Sequence, residues 1–123
     1  MRHSDITEKI IGAFYRVYGE LGYGFLERVY ENSMVVALHS EGLMVEQQSP
    51  ISVHFDGEVV GEYFADLLVN KVVIVELKAA DAIVPAHEAQ LLNYLKATRV
   101  EVGLLLNFGP EPKFKRKAMT TSK

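Results

Sequence analysis

The sequence predicts an α/β fold, a mixed β-sheet flanked by helices, with its elements in the order ααββββαβ. Three observations carry this prediction. Apolar residues recur at helical spacing near the start, at Ile6, Ile10, Phe14, Val17 and Leu21. The run Val72-Val73-Ile74-Val75 is β-branched throughout and too short for an independent helix. Hairpin-linked strands are then followed by a helical stretch and one more apolar strand, which implies a helical crossover and a mixed sheet.

Taken in order, Asp5 and Glu8 resemble a capping box, and Gly19 and Gly22 close the first helix. Gly22-Tyr23-Gly24 forms a hinge into a second helix over 25–41, stopped by Gly42. Three strands follow over 43–48, 51–55 and 58–69, the first two separated by Pro50 and the last two joined by a turn at Asp56-Gly57. The fourth strand is 72–78. Pro85 sits where a helix start tolerates it, with the third helix over 86–97. Val100 to Asn107 forms the last strand, ended by Phe108-Gly109-Pro110.

A length of 123 residues suits one domain over 1–123, with a short basic tail over 111–123. The 49% apolar and 24% charged content is that of a globular chain rather than a disordered or membrane one. No apolar stretch approaches the roughly 20 residues of a membrane helix. The N-terminus leads straight into an amphipathic pattern without a secretory apolar region, and there is no Cys for a disulfide framework or a thiolate zinc site. These features fit the cytoplasm. The net charge of −3 argues against nucleic-acid binding by bulk electrostatics alone. A nuclease remains compatible, because its site must be acidic while a local basic patch holds phosphate. Lys113, Lys115, Arg116 and Lys117 form one such patch, or else a solvated tail.

The most informative cluster is Asp66 with Glu76-Leu77-Lys78. Ionised residues rarely finish a buried strand without partners. Glu76 and Lys78 share one face while Leu77 returns to the core. With Asn70-Lys71 as the turn, a three-residue or bulged connection sets Asp66 opposite Glu76; a two-residue one puts the carboxylates on opposite faces. In the first register two carboxylates and an ammonium converge, the outline of a metal-dependent phosphodiesterase site. Mg²⁺ needs only one or two carboxylates beside substrate phosphate. Lys78 can orient or deprotonate water or stabilise developing charge. The plainer alternative is a Glu76–Lys78 ion pair on an edge strand.

Glu27 lies in the first turn of the second helix on the same face as Tyr30, where an anion is favoured by the helix dipole. Read alone, it is a helix-stabilising glutamate. Gln90 and Tyr94 form a polar stripe on the third helix able to bind phosphate or water, or else its polar edge. His87 reads as a helix-start residue.

Together these residues resemble the PD-(D/E)XK nuclease superfamily, and more closely a small bacterial family named for its GxxExxY motif. That motif reads Gly24-Phe25-Leu26-Glu27-Arg28-Val29-Tyr30 here. The superfamily signature reads Asp66…Glu76-Leu77-Lys78, with Ala65 in place of the Pro of its name. Residues 87–95 are similar to the Q-x-x-x-Y helix of RecB-type members through Gln90 and Tyr94, and Val102-Gly103-Leu104-Leu105-Leu106-Asn107-Phe108-Gly109 is also characteristic. The resemblance implies a restriction-endonuclease-like core with Asp66, Glu76 and the Leu77 carbonyl as ligands of Mg²⁺ or Mn²⁺. It makes Glu27 the helix-borne acid and Lys78 the catalytic lysine, and it places Gln90 and Tyr94 near substrate phosphate.

The expected function is therefore metal-dependent hydrolysis of phosphodiester bonds in DNA. The alternative is a non-catalytic nucleic-acid- or protein-binding module that keeps the nuclease fold within a larger assembly. Cutting both strands of a duplex with one site per chain suggests a homodimer, whose apolar surface could come from Tyr15, Tyr18 or Tyr23.

Overall fold

Two helices, α1 (Ser4–Leu21) and α2 (Glu27–Ser40), cover one face of a five-stranded sheet, and α3 (Pro85–Thr98) covers the other. The computed structural model describes residues 2–120. The strands are β1 (Val45–Phe55), β2 (Glu58–Val69), β3 (Val73–Lys78), β4 (Val102–Phe108) and β5 (Pro112–Ala118), lying side by side in that order. Only β3 and β4 run parallel, and α3 is the crossover that parallel neighbours require. The expected mixed sheet flanked by helices is present.

Its element order is ααβββαββ, which corrects the expected ααββββαβ in two places. Residues 43–48 and 51–55 do not form separate strands. From Val45 onward they belong to one strand, β1, at the sheet edge, where a Pro such as Pro50 is tolerated. Within β1 the backbone departs from the extended form at Gln48, whose φ is 55°, and the register to β2 shifts between Val53 and His54. The supposed basic tail is in large part β5, while residues 121–123 lie outside the described residues. Its apolar side chains are too few to signal a strand, and pairing to β4 from Val102↔Ala118 to Phe108↔Pro112 supplies what local pattern lacks. Lysines are common on such sheet edges.

Helix boundaries fall close to expectation, with one difference. The Asp5–Glu8 capping box does not form: α1 starts at Ser4 after His3, so Asp5 lies within the first turn, where its charge favours the helix dipole.

The core has two layers. On the α1/α2 side Ile10, Phe14, Tyr30, Met34 and Leu38 pack on alternate residues of β2, β3 and β4, including Val73, Val75, Leu77, Leu104 and Leu106. On the α3 side Leu91, Tyr94 and Leu95 pack on Ile51, Ala65, Ile74 and Leu105. Burying a Leu or Ile side chain contributes about 1.5–3 kcal/mol, so this packing rather than helix propensity holds α3 down. Gly103 permits the contact, since a Cβ there would lie 2.7 Å from Cδ1 of Leu91. Among the described residues no helix is long and apolar enough to cross a membrane.

Candidate active site at the ends of β2 and β3

β2 pairs with β3 through Leu67↔Val75, Leu68↔Ile74 and Val69↔Val73, around the turn Asn70-Lys71-Val72. Asn70 and Lys71 both take positive φ, 50° and 61°. This is the three-residue connection, and the next step of the register sets Asp66 opposite Glu76. There the strands exchange side-chain bonds. The N–H of Asp66 donates to Oε2 of Glu76 at 2.9 Å, and the N–H of Leu77 donates to Oδ2 of Asp66 at 2.8 Å.

These bonds hold both carboxylates in a largely buried spot, with Glu76 only 4% exposed. Burial pushes the Glu76 carboxyl up to about 8, the negative charge of Asp66 pushes the same way, and Lys78 opposes it. Asp66 is raised too, chiefly by burial, with the Glu31 charge adding to it and the Leu77 N–H and Lys78 opposing. Both shifts disfavour ionising the two carboxyl groups together in the metal-free protein.

Lys78 shares the strand face of Glu76, and its Nζ lies 3.5 Å from Oε1 of Gln90 on α3, a long hydrogen bond. Among the described residues Lys78 and Glu76 form no ion pair, and β3 is an inner strand. The edge-strand ion pair is therefore not what these residues make. Glu27, in the first turn of α2, accepts the N–H of Ala79 at 3.3 Å through Oε2, just beyond Lys78.

A family model for the PD-(D/E)XK nuclease superfamily matches residues 4–118. The chain belongs to the PD-(D/E)XK nuclease superfamily. A search of curated proteins finds no match. Among solved structures, the one titled "Crystal structure of SSO0001" superposes with a TM-score of 0.61 at 17% identity, over 78% of this chain and 52% of that one. The likeness is one of fold, and this chain spans about half the length of that protein. It agrees with a restriction-endonuclease-like core.

The donor set of this superfamily member suits a hard divalent cation. Asp66 and Glu76 offer oxygen only, and among the described residues Oε1 of Glu76 accepts no hydrogen bond. No group of three or more His, Cys, Asp or Glu among the described residues could hold a metal unaided. Mg²⁺ fits that situation, because it takes one or two carboxylates and fills its remaining positions with water and substrate phosphate.

Three residues that shape the site were not foreseen. Glu31, 5% exposed, lies one helical turn after Glu27. It accepts Nε2 of Gln47 at 2.7 Å and Nε2 of Gln48 at 3.1 Å. The i, i+4 spacing from Glu27 was the available signal. The same Nε2 of Gln48 donates to Oδ1 of Asp66 at 3.3 Å, so one amide lies between two carboxylates. Nothing local in the sequence marks Gln48 for this. Asn107, 1% exposed, donates to the carbonyl of Ala80 and accepts its N–H, both at 3.0 Å, and so anchors the chain leaving β3. A polar residue within an otherwise apolar strand was the signal there.

Tyr30 serves the site indirectly. Its hydroxyl donates to the Gly22 carbonyl at 2.6 Å and accepts the N–H of Phe25 at 3.1 Å, while its ring stacks on Phe108 at 4.3 Å. It thereby locks the loop that delivers Glu27.

Tyr94 lies against the α3-side core, with its hydroxyl raised by burial and by the charges of Glu76 and Asp66. On β5, Lys113, Lys115 and Lys117 pair with Asn107, Leu105 and Gly103 and so share the α3 side of the sheet. Lys113 continues the row Lys78↔Asn107 across the strands. Lys117 is engaged by Glu88 at 2.6 Å. Arg116 is on the opposite face, bonded to the Arg2 carbonyl at 2.7 Å. Tyr18 donates to the carbonyls of Gly109 and Pro110 at 2.7 and 2.9 Å, which commits it internally. Tyr15 and Tyr23 remain exposed.

Proposed function

We propose that this chain is a Mg²⁺- or Mn²⁺-dependent nuclease that hydrolyses phosphodiester bonds in DNA, and that it belongs to the small bacterial GxxExxY group. The single observation that carries the reading is the crossed Asp66–Glu76 arrangement with Lys78 on the same face. Asp66, Glu76 and the Leu77 carbonyl would hold the cation. The cation, when bound, neutralises phosphate charge and makes water a better nucleophile at neutral pH.

The remaining roles belong to the protein. Lys78 carries positive charge towards the scissile phosphate and orients the attacking water, and Gln90 restrains its ammonium. Glu27 supplies a further carboxylate at the same end of β3 and ties α2 to Ala79. Lys113 and Lys115 flank the site on the α3 side and serve as phosphate contacts. Arg116 lies on the opposite face and Lys117 is held by Glu88, so the substrate-binding role narrows to Lys113 and Lys115, with Lys113 exchanging its exposed ion pair with Glu111 (3.4 Å) for phosphate. Each chain carries one such site, so severing both strands of a duplex takes two copies or two encounters.

A second reading, a non-catalytic binding module, draws on the fact that no group of three or more His, Cys, Asp or Glu among the described residues could hold a metal. Incubating the purified protein with Mg²⁺ or Mn²⁺ and single-stranded, duplex and branched DNA and RNA separates the two. Cleavage that vanishes in folded Glu76→Ala and Lys78→Ala supports the nuclease. No cleavage of any substrate, with nucleic-acid binding unaffected by Glu76→Ala, supports the module.

A further inference from the structure

β1 and β2 run on as a two-stranded arm well past the last β3 pair, Leu67↔Val75. Between this arm and α3 lies an open groove of about 840 Å³. Its walls include Gly61 and Tyr63 from the arm and Gln90, Asn93, Tyr94 and Lys96 from α3. Tyr63 leans over Gly61, where a Cβ would lie 3.4 Å from its ring, and meets the Tyr94 ring at 5.8 Å with the planes tilted by 46°. It is still 49% exposed, so a large part of its ring is open to the groove and solvent.

We infer that this groove binds an unpaired nucleobase, stacked on Tyr63, from the nucleic-acid strand whose phosphate reaches the Asp66–Glu76 site. The inference rests on the nuclease reading and specifies its substrate class as single-stranded at this position. Three features select the occupant. An exposed aromatic ring offers a stacking surface that any base fits, but only a base withdrawn from a duplex stack can use it. Gln90 and Asn93 present amides able to hydrogen-bond a base edge. Charge agrees: Lys96 lines the groove, whereas no Asp or Glu is among the described residues that do. Arm residues Glu58 and Glu62 are not part of the lining. The groove is continuous with the catalytic end through Gln90, which touches Lys78, and Tyr94, which feels the charges of Asp66 and Glu76.

The test uses the full chain in EDTA, where metal-dependent hydrolysis cannot intervene. Oligonucleotides carrying 2-aminopurine, as single-stranded DNA, single-stranded RNA and blunt duplex of one sequence, are titrated with protein and followed by fluorescence quenching. Wild type should bind and quench one or both single strands in preference to duplex, the two arms showing which sugar is accepted. Tyr63→Ala should weaken that binding roughly tenfold, as expected for the loss of one base–aromatic stack. Tyr63→Phe should restore it, and Phe64→Ala, on the opposite face of the arm, should leave it unchanged. Unaltered single-strand affinity in folded Tyr63→Ala overturns the inference, as does wild-type preference for duplex or no binding at all. A dimer in sedimentation that Tyr63→Ala dissociates also overturns it, assigning the surface to a second copy. Cleavage of DNA with Mg²⁺ combined with an unaltered Tyr63→Ala defeats the groove alone. Tyr63-dependent binding without cleavage defeats the nuclease alone.

Discussion

Asp66 and Glu76 are bonded crosswise, each carboxylate taking a main-chain N–H from the other's strand, at 2.9 Å from Asp66 and at 2.8 Å from Leu77. The arrangement ends the β2–β3 ladder and keeps two carboxyl groups side by side in a buried place. Bonds from N–H groups to carboxylates are among the stronger protein hydrogen bonds and hold the pair in place, while burial and the charge of Asp66 keep the Glu76 proton on up to about pH 8.

The metal-free protein should lose stability as pH rises from about 4.5 to about 8. Glu76 is raised to about 8, so between the unfolded and folded values the native state binds more protons, and the slope of stability with pH is negative. The stabilisation is complete below the unfolded value and gone once pH has passed the folded one. Glu76→Gln should remove the part of this dependence that Glu76 contributes, leaving that of Asp66, and above pH 8 should exceed wild type by a margin on the order of a few kcal/mol. Urea unfolding of both proteins across this range measures it.

Mn²⁺ binding should release protons at pH 7, because a cation must displace the proton that burial keeps on Glu76. Titration calorimetry in buffers of different ionisation enthalpy should show close to one proton released per ion in wild type. Folded Glu76→Ala should bind weakly or not at all. Equal binding heats in all buffers would contradict the protonation assigned to Glu76.

Tyr30→Phe removes one hydroxyl that bridges Gly22 and Phe25 while leaving the stack on Phe108. A loss of about 1–3 kcal/mol in denaturant unfolding is expected for stranding these groups. Any nuclease activity should fall with it, since the loop sets the position of Glu27.

At Gln48 the backbone and side chain should separate by mutation. Its φ of 55° is awkward for any side chain, and its amide lies between Glu31 and Asp66. Gln48→Ala should be destabilising, and Gln48→Gly less so by about 1 kcal/mol, since glycine takes the conformation without strain. Both should weaken Mn²⁺ binding equally if the amide is what orients Asp66.

Two glycines should respond unequally to alanine. At Gly103 the new Cβ meets the end of the Leu91 side chain, but at Gly109 it would lie 2.3 Å from the Ala80 carbonyl oxygen. A side chain can rotate and a hydrogen-bonded backbone cannot, so Gly109→Ala should lower Tm more than Gly103→Ala. Overpacking of this kind typically costs about 1–3 kcal/mol.

Much of this architecture was legible locally. The β-branched run before Glu76 announces a strand buried on both faces, and Pro85 announces the start of α3. The pairing of Asp66 with Glu76 was legible only as one of two registers, because the number of turn residues decides parity and Asn70-Lys71 suits either. Pro50 misled, since its effect depends on whether its strand lies at a sheet edge. The basic stretch at 113–117 misled for the same reason, its strand state being set by β4.

The sequence by itself determined the helices, the inner strands and the identity of the motif residues, all of which follow from periodicity, turn chemistry and the types of side chain present. Only the tertiary structure decided that Asp66 faces Glu76, and that Gln48 and Glu31 close around Asp66. It also decided that Arg116 turns away, and that Tyr63 meets α3 across a groove. The physical reason is that the Asp66–Glu76 register hangs on one turn residue, while the other contacts join residues 18 to 114 positions apart and are selected by the packing of whole layers, of which local pattern carries almost no record.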